Sequence, residues 1–216
     1  MRRPRAKVNV VAHASDRAID IVGENYDLAV RAHFDRLPES NLVQRTLAPA
    51  PWFLFAGAGH LKANGTPKTS QDLRNHPSLF MTRSSVEPVW RLRHARRKRD
   101  EVVVPLTPRL LSDDMVGLQQ AAIKGLGLVA LPAYVCRAAV RSGVLQRVLP
   151  DWLAGEATLT ALIPYRQGLL PSVRALLESV SGPRSRSPAF QLGIALQDRS
   201  KCRTATRSSP KRNPQR

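Results

Sequence analysis

The chain has 216 residues, 43% of them hydrophobic, and a formal charge of +18. That length supports one or two units with a buried core, and no apolar run approaches the roughly 20 residues that a membrane-spanning helix requires. Its two cysteines, Cys136 and Cys202, stand far apart; they form neither a disulfide framework nor a zinc-ligand spacing, and they suit a reducing cytoplasm.

The charge is concentrated in three places. Residues 181–216 carry nine Lys or Arg against Asp198, or +8. Arg2, Arg3, Arg5 and Lys7 add +4, and residues 91–101, with six basic side chains against Asp100 and Glu101, add another +4. Only +2 remains for the rest, so the charge lies in the ends and one internal run and not on a structured face. Solvated segments account for it; loose attraction to phosphate is the functional alternative.

In chain order, "MRRPRAKVNVVAHASD" imitates a signal peptide, but "VNVVA" is shorter than the ~7–15 apolar residues such a region needs. "VNVVAH" (8–13) alternates as a strand does. Ser15 stands where a helix N-cap belongs and Asp16 in the first turn. Asp20 falls on the polar side of that helix, "GEN" ends it, and "YDLAV" follows as a buried strand. Strand, helix, strand is the unit of a parallel sheet. The aspartates Asp16, Asp20 and Asp27 are thereby explained without a metal or an acid–base pair.

"LVQRTLAPAPWFLFAGAGH" (42–60) is strand-like, its prolines marking a change of direction. Thr69 or Ser70 is placed to cap a short helix that Pro77 stops. "SLFMTR" and "PVWRLRHA" are strands, the second leading into the turn "RRKRDE". "VVVPLTPRLLS" is extended, and its prolines confine it to an edge or an irregular strand. In "SDDMVGLQQAAIKGLGLVALP", Ser112 is a cap candidate, with Asp113 and Asp114 in the first turn. Met115, Leu118 and Ala122 share a face and Gly125 is the stop. The Gly125–Gly127 pair follows a helix and precedes a strand, the reverse of a pyrophosphate loop. "LGLVALP" is a strand closed by Pro132. A helix "AYVCRAAVRSG", the extended "LQRVLPDW", the strand "TLTALIPYR" and the helix "PSVRALLESV", with Pro171 near its first turn, complete the periodic part. Beyond Val180 the composition is that of a disordered Ser, Pro and Arg-rich tail, with one short apolar patch from Phe190 to Leu196.

The sequence holds no Gly-x-Ser-x-Gly elbow, P-loop, HExxH or CxxC. Its five histidines share no ligand spacing, so no enzyme, metal site or cofactor is expected. Trp52, Trp90 and Trp152 are expected in packing and not as stacking platforms.

Four stretches, in this order, resemble one family, the LysR-type transcriptional regulators. "SDRAIDIVGENYDLAVR" is similar to S-D-x-x-x-D-L-V-x-E-G-F-D-L-A-I-R, and "GTPKTSQDLRNHPSL" to G-x-P-x-x-P-x-D-L-x-x-H-x-x-L. "SDDMVGLQQAAIKGLGLVALP" with "GVLQRVLPDW" resembles N-D-x-x-x-L-x-x-A-A-x-x-G-L-G-I-A-x-L-P and G-x-L-x-x-V-L-P-x-W. "LTALIPYRQGLLPSVRALLESV" resembles the closing strand and helix. The resemblance covers about Val8 to Val180.

The resemblance implies an α/β fold of the two-lobed type II periplasmic-binding-protein kind, incomplete at the N-terminus, with a disordered basic tail at 181–216. Lobe one would be 1–49 with 161–180 returning to it, and lobe two 50–160. A small-molecule co-inducer, with a carboxylate as one candidate class, would lie between them. The cleft would be lined by Ser15, Arg31, Thr82, Arg83, Ser112, Asp113 and Pro132. Arg31 suits bidentate contact with a carboxylate or else a salt bridge, Ser15 and Ser112 double as helix caps, and Asp113 with Arg83 is a candidate lock between lobes. The family's winged helix-turn-helix, its linker helix and the first strand and helix of the effector domain have no counterpart here, and "FAGAGHLKANG" replaces the usual "ASPAYLxxHG". The expectation is therefore a cytoplasmic, homo-oligomeric sensing domain from a truncated or mis-started frame. DNA would be bound only through a helix-turn-helix this chain lacks, and no membrane is involved. A non-functional fragment, and a basic protein associating with nucleic acid through its tail, are the alternatives.

Overall fold

The computed structural model describes residues 9–14, 19–82, 87–97, 99–164, 170–181 and 194–197. The strands are β1 (Val11–Ala14), β2 (Leu28–His33), β3 (Leu42–Gly57), β4 (Ser78–Met81), β5 (Val89–His94), β6 (Glu101–Pro105), β7 (Pro108–Ser112), β8 (Leu128–Pro132), β9 (Leu145–Val148), β10 (Trp152–Leu153), β11 (Gly155–Pro164) and β12 (Ile194–Gln197). Four helices accompany them: α1 (Ala58–Asn64), α2 (Met115–Ile123), α3 (Ala133–Arg141) and α4 (Pro171–Ser181), with a 3₁₀ turn at Asp72–Asn75. One sheet runs β1-β12-β2-β11-β3-β8-β4-β7, with β9 on the inner half of β3; a second, β10-β5-β6, is smaller.

β3 and β11 form the spine. β3 is antiparallel to β11 from Leu42 to Trp52, then to β8 from Trp52 to Phe55 and to β9 from Leu54 to Gly57. Its first half is largely exposed and its last four residues are buried. Pro49 and Pro51 do not turn this strand, as their sequence suggested; both lie inside β3, opposite Thr158 and Glu156. Two residues apart, their nitrogens share one side, and β8 joins only from Trp52 onward, so the edge beside the prolines needs no ladder N–H. The change of course is instead a register shift opposite Leu159/Thr160.

The apolar interior divides along the same spine. The main cluster gathers Ala50, Trp52, Leu54, Leu79, Leu118, Val129, Cys136, Val148 and Leu159 among others. A second joins Leu28, Ala161, Ile163, Val173 and Leu177, and a third Ile21, Tyr26 and Leu162. Trp52 and Trp90 are core residues, 6% and 3% exposed, while half-buried Trp152 meets the His94 ring edge-on.

Most elements lie where their periodicity put them, and the differences are local; the strand expected to run through His60 ends at Gly57, and Ala58–Asn64 is helix α1. In place of the helix expected after Ser15, the described residues Ile21–Asn25 form a turn. Asp20 caps it: its Oδ1 accepts from Val22 N at 3.2 Å and Gly23 N at 2.9 Å. The stretch "VVVPLTPRLLS" is two strands in two sheets, β6 beside β5 and β7 parallel to β4, separated at Pro105 and Pro108. Both are edge strands, where a missing N–H is tolerated. Neither Thr69 nor Ser70 caps the turn before Pro77, whose N-cap position is Gln71 with no side-chain capping bond; the Asp72 carboxylate, in the first turn, instead accepts from the preceding Lys68 N and Thr69 N, both at 2.8 Å. Those two backbone hydrogen bonds, Thr69's the stronger, hold the Asp72 carboxyl below its ordinary value. Gly125 stops α2 as expected, with φ +85 and its N–H on Ala122 O at 2.9 Å. Within the tail, Ile194–Gln197 is a strand; 182–193 and 198–216 lie outside the described residues.

Candidate functional site

Three parallel strands end side by side. β4 is parallel to β7, with Met81 facing Ser112, and parallel to β8, with Leu79 facing Val129. Carried on by three residues, the second register brings Thr82 level with Pro132. Thr82 is tied to the end of β7 by its backbone N–H on Ser112 O, 3.0 Å. Thr82, Ser112, Asp113 and Pro132 therefore occupy one edge of the sheet, at the carboxyl ends of its strands, where open α/β sheets bind ligands.

Two helices start at this edge. α2 begins at Met115 and is capped by Asp114, whose Oδ1 accepts from Val116 N at 2.8 Å. Ser112 is not the cap, as its sequence position suggested. Its Oγ accepts from Asp114 N at 3.1 Å and so holds the capping residue in place. Asp113, placed between them, is exposed and stands before the first turn instead of within it. α3 begins directly after Pro132, whose ring cannot continue a ladder and whose φ of −61° suits the helix entry. Both helices therefore present N-terminal amides toward the row.

The row continues through Pro132, which faces Trp52 of β3, and Trp52 faces Gly155 of β11. The Phe34 ring lies 5.4 Å from that of Trp52, centroid to centroid, and a Cβ added at Gly155 would stand 2.9 Å from Phe34 Cε1. Next to Phe34, His33 ends β2. Its Nδ1 lies 2.7 Å from Asp35 O and its Nε2 2.8 Å from Thr160 Oγ1. A carbonyl oxygen only accepts, so Nδ1 carries the proton and the threonine hydroxyl donates to Nε2.

Of the residues expected to line a cleft, the structure brings together Thr82, Ser112, Asp113 and Pro132. Arg31 is exposed on β2 opposite Thr160. That is five positions along β11 from Gly155, about 17 Å of strand. Its guanidinium takes part in neither ion pair found among the described residues, Arg93–Glu156 at 3.0 Å and Arg97–Asp100 at 3.1 Å. Ser15 and Arg83 lie outside the described residues. His33 and Phe34 escaped the sequence reading, and Trp52 was expected only in packing. The signal for the first two was available in "AVRAHFD", where a histidine and a phenylalanine directly follow an apolar strand.

This arrangement can orient a small anion or dipole by backbone amides, a hydroxyl and helix termini. Among the described residues no group of three His, Cys, Asp or Glu could hold a metal, and no helix is long and apolar enough to cross a membrane.

The model of the LysR substrate binding domain matches residues 1–182. The chain belongs to that family. It is an effector-binding regulatory domain of a LysR-type transcriptional regulator, and the family is not enzymatic. Among similar proteins, the regulator PtxR of Pseudomonas aeruginosa is 30% identical over 184 residues, which cover 84% of this chain and 57% of PtxR. An HTH-type regulator of Xanthomonas campestris pv. campestris is 26% identical over 176 residues, 80% of this chain and 50% of the relative. The chain thus spans about half the length of the curated relatives it matches. The regulatory domain of CrgA from Neisseria meningitidis superposes with a TM-score of 0.65 at 20% identity, over 77% of this chain and 79% of that one. That of AphB from Vibrio vulnificus gives 0.62 at 22%, over 77% and 79%. At these identities the likeness is one of fold.

Proposed function

We propose that this LysR-type domain senses a small-molecule effector, with a carboxylate as the favoured class, bound between lobe one (1–49 with 161–180) and lobe two (50–160). The observation that carries the reading is the convergence of three parallel strand ends with the starts of α2 and α3 on Thr82, Ser112, Asp113 and Pro132. The separate apolar clusters on either side of Ala50 and Leu159–Ala161 support the division into lobes. Arg31, exposed on lobe one and about 17 Å of strand from Gly155, would serve as a carboxylate's bidentate partner only where closure of the lobes brings it to the row. Ser15 and Arg83 remain further members of this set. The mechanism is ligand-biased closure that changes how subunits pair in a cytoplasmic homo-oligomer. It operates only through a difference in effector affinity between open and closed forms. DNA binding would then belong to a helix-turn-helix outside these 216 residues.

The test is thermal unfolding of the 216-residue chain against a panel of aliphatic and aromatic carboxylates. A ligand present at 100 times its Kd adds about 2.7 kcal/mol, which moves the transition of a domain this size by several degrees (on the order of 5–10 °C). Arg31→Ala and Ser112→Ala should each abolish that shift while leaving a cooperative melt. A cooperative melt that no carboxylate raises would count against this effector class.

A further inference from the structure

β1 and β2 run in the same direction one strand apart, and the place between them is taken by β12, from the far end of the chain. β12 is antiparallel to both. Val11, Ala12, His13 and Ala14 of β1 face Gln197, Leu196, Ala195 and Ile194, while Ala29 and Leu28 of β2 face Ala195 and Leu196. In a doubly wound sheet of order 2-1-3 the strand between two such neighbours is the one that precedes them in the chain, parallel to both. Here a late segment fills that position in the opposite direction.

We infer that Ile194–Gln197 is a structural strand of this sheet, and that β1 is held to the fold through it. Three observations converge. β12 is the strand that β1 pairs with among the described residues. The edge of β2 facing away from β11 is closed by β12. The segment closes "AFQLGIALQ" (189–197), which holds the one apolar run in an otherwise Ser, Pro and Arg-rich tail. Residues 182–193 separate it from the end of α4, a length that spans up to about 40 Å when extended. Without the inserted strand, β1 and β2 would both present open ladder edges over Leu28, Ile21 and Tyr26, a template for association between chains. The tail is then a structural part of the sensing domain and not only a source of charge. This inference stands apart from the choice of effector.

The register provides the test, in the full-length chain with Cys202→Ser. Ala29 and Ala195 are opposed, and opposed antiparallel residues have Cα atoms about 4.5–5.5 Å apart, inside the window for a disulfide. Ala29→Cys with Ala195→Cys should oxidise to an intramolecular disulfide at least ~10-fold faster than Ala29→Cys with Ser208→Cys, which measures mere tethering. Leu196→Pro, which removes a ladder N–H, should strip hydrogen-exchange protection from Leu28–Val30, while Ser208→Pro leaves it intact. Equal cross-linking rates for the two cysteine pairs, or unchanged protection in Leu196→Pro, would overturn the inference. A disulfide forming only between two chains would overturn the in-chain assignment and give the slot to the tail of a second copy.

Discussion

Nε2 of His60 lies 3.1 Å from Nδ1 of His76, joining α1 to the turn that precedes β4. The direction of this contact follows from the other side of the first ring. His60 Nδ1 faces Gly125 O at 3.2 Å, and a carbonyl can only accept. His60 therefore carries its proton on Nδ1 and receives a hydrogen bond from His76 Nδ1–H. His60 is 5% exposed, so the pair lies at the edge of the core and holds the Gly125 turn against two other segments.

Burial, and secondarily the neighbouring His60, lower the His76 pKa, against a smaller opposing pull from the Asp72 carboxylate. A histidine with a depressed folded-state pKa binds fewer protons folded than unfolded. Its contribution is complete above the ordinary value near 6.5 and is lost as pH falls through that value toward the lowered one. Urea unfolding at pH 7.5, 6.5 and 5.5 should show falling stability, and His76→Asn should flatten the dependence. Parallel pH profiles for the two proteins would refute this. The lowered Asp72 carboxyl acts in a separate window, its contribution present above about 3.9 and lost only in stronger acid.

Cys136 is fully buried on α3. Burial pushes its thiol up to about 12, with a partly opposing hydrogen bond from Gln119. Since the thiolate is the nucleophile, a Cys202→Ser protein should react with a disulfide reagent at pH 8 at least ~100-fold more slowly folded than in urea. Equal rates in the two states would mean the α3 face opens freely.

Gly127 has φ +156, and a Cβ there would lie 2.2 Å from Pro77 O, the carbonyl that accepts from Leu128 N at 2.8 Å. Gly127→Ala should cost on the order of 2–4 kcal/mol. Gly143, with φ +77 but nothing within 4 Å of an added Cβ, should cost about 1 kcal/mol when replaced by Ala. The difference between the two, read from chemical denaturation midpoints, isolates the steric part; equal losses would deny the close approach.

Asp114→Ala removes the α2 cap and should destabilise by about 1 kcal/mol. Asp113→Ala, at an exposed position outside the cap, should change stability by less than about 0.5 kcal/mol. If Asp113→Ala proved the costlier of the two, the carboxylates would have exchanged roles.

Sequence alone determined most of the order of strands and helices from β2 to α4, though not α1 or the split between β6 and β7, together with the stop at Gly125, the burial of Trp52 and Trp90, and the family. These follow from short-range causes: apolar periodicity, turn residues and motifs carried within single segments. The misplaced details share a different cause. Whether Ser112 or Asp114 caps α2 depends on which oxygen reaches Val116 N, a matter of one backbone dihedral. Pro49 and Pro51 look like strand breakers until the partner on one side of β3 is known to be absent. Phe34 and Trp52 are 18 residues apart, and nothing local joins them. The resemblance grouped Thr82, Ser112 and Pro132 in one cleft, but the physical reason they share an edge, strand pairing across dozens of residues, is visible only in the tertiary structure. The tertiary structure alone decided that the strand between β1 and β2 comes from Ile194–Gln197. An apolar patch in a basic tail states that it can be a strand; only an open ladder elsewhere in the fold states where.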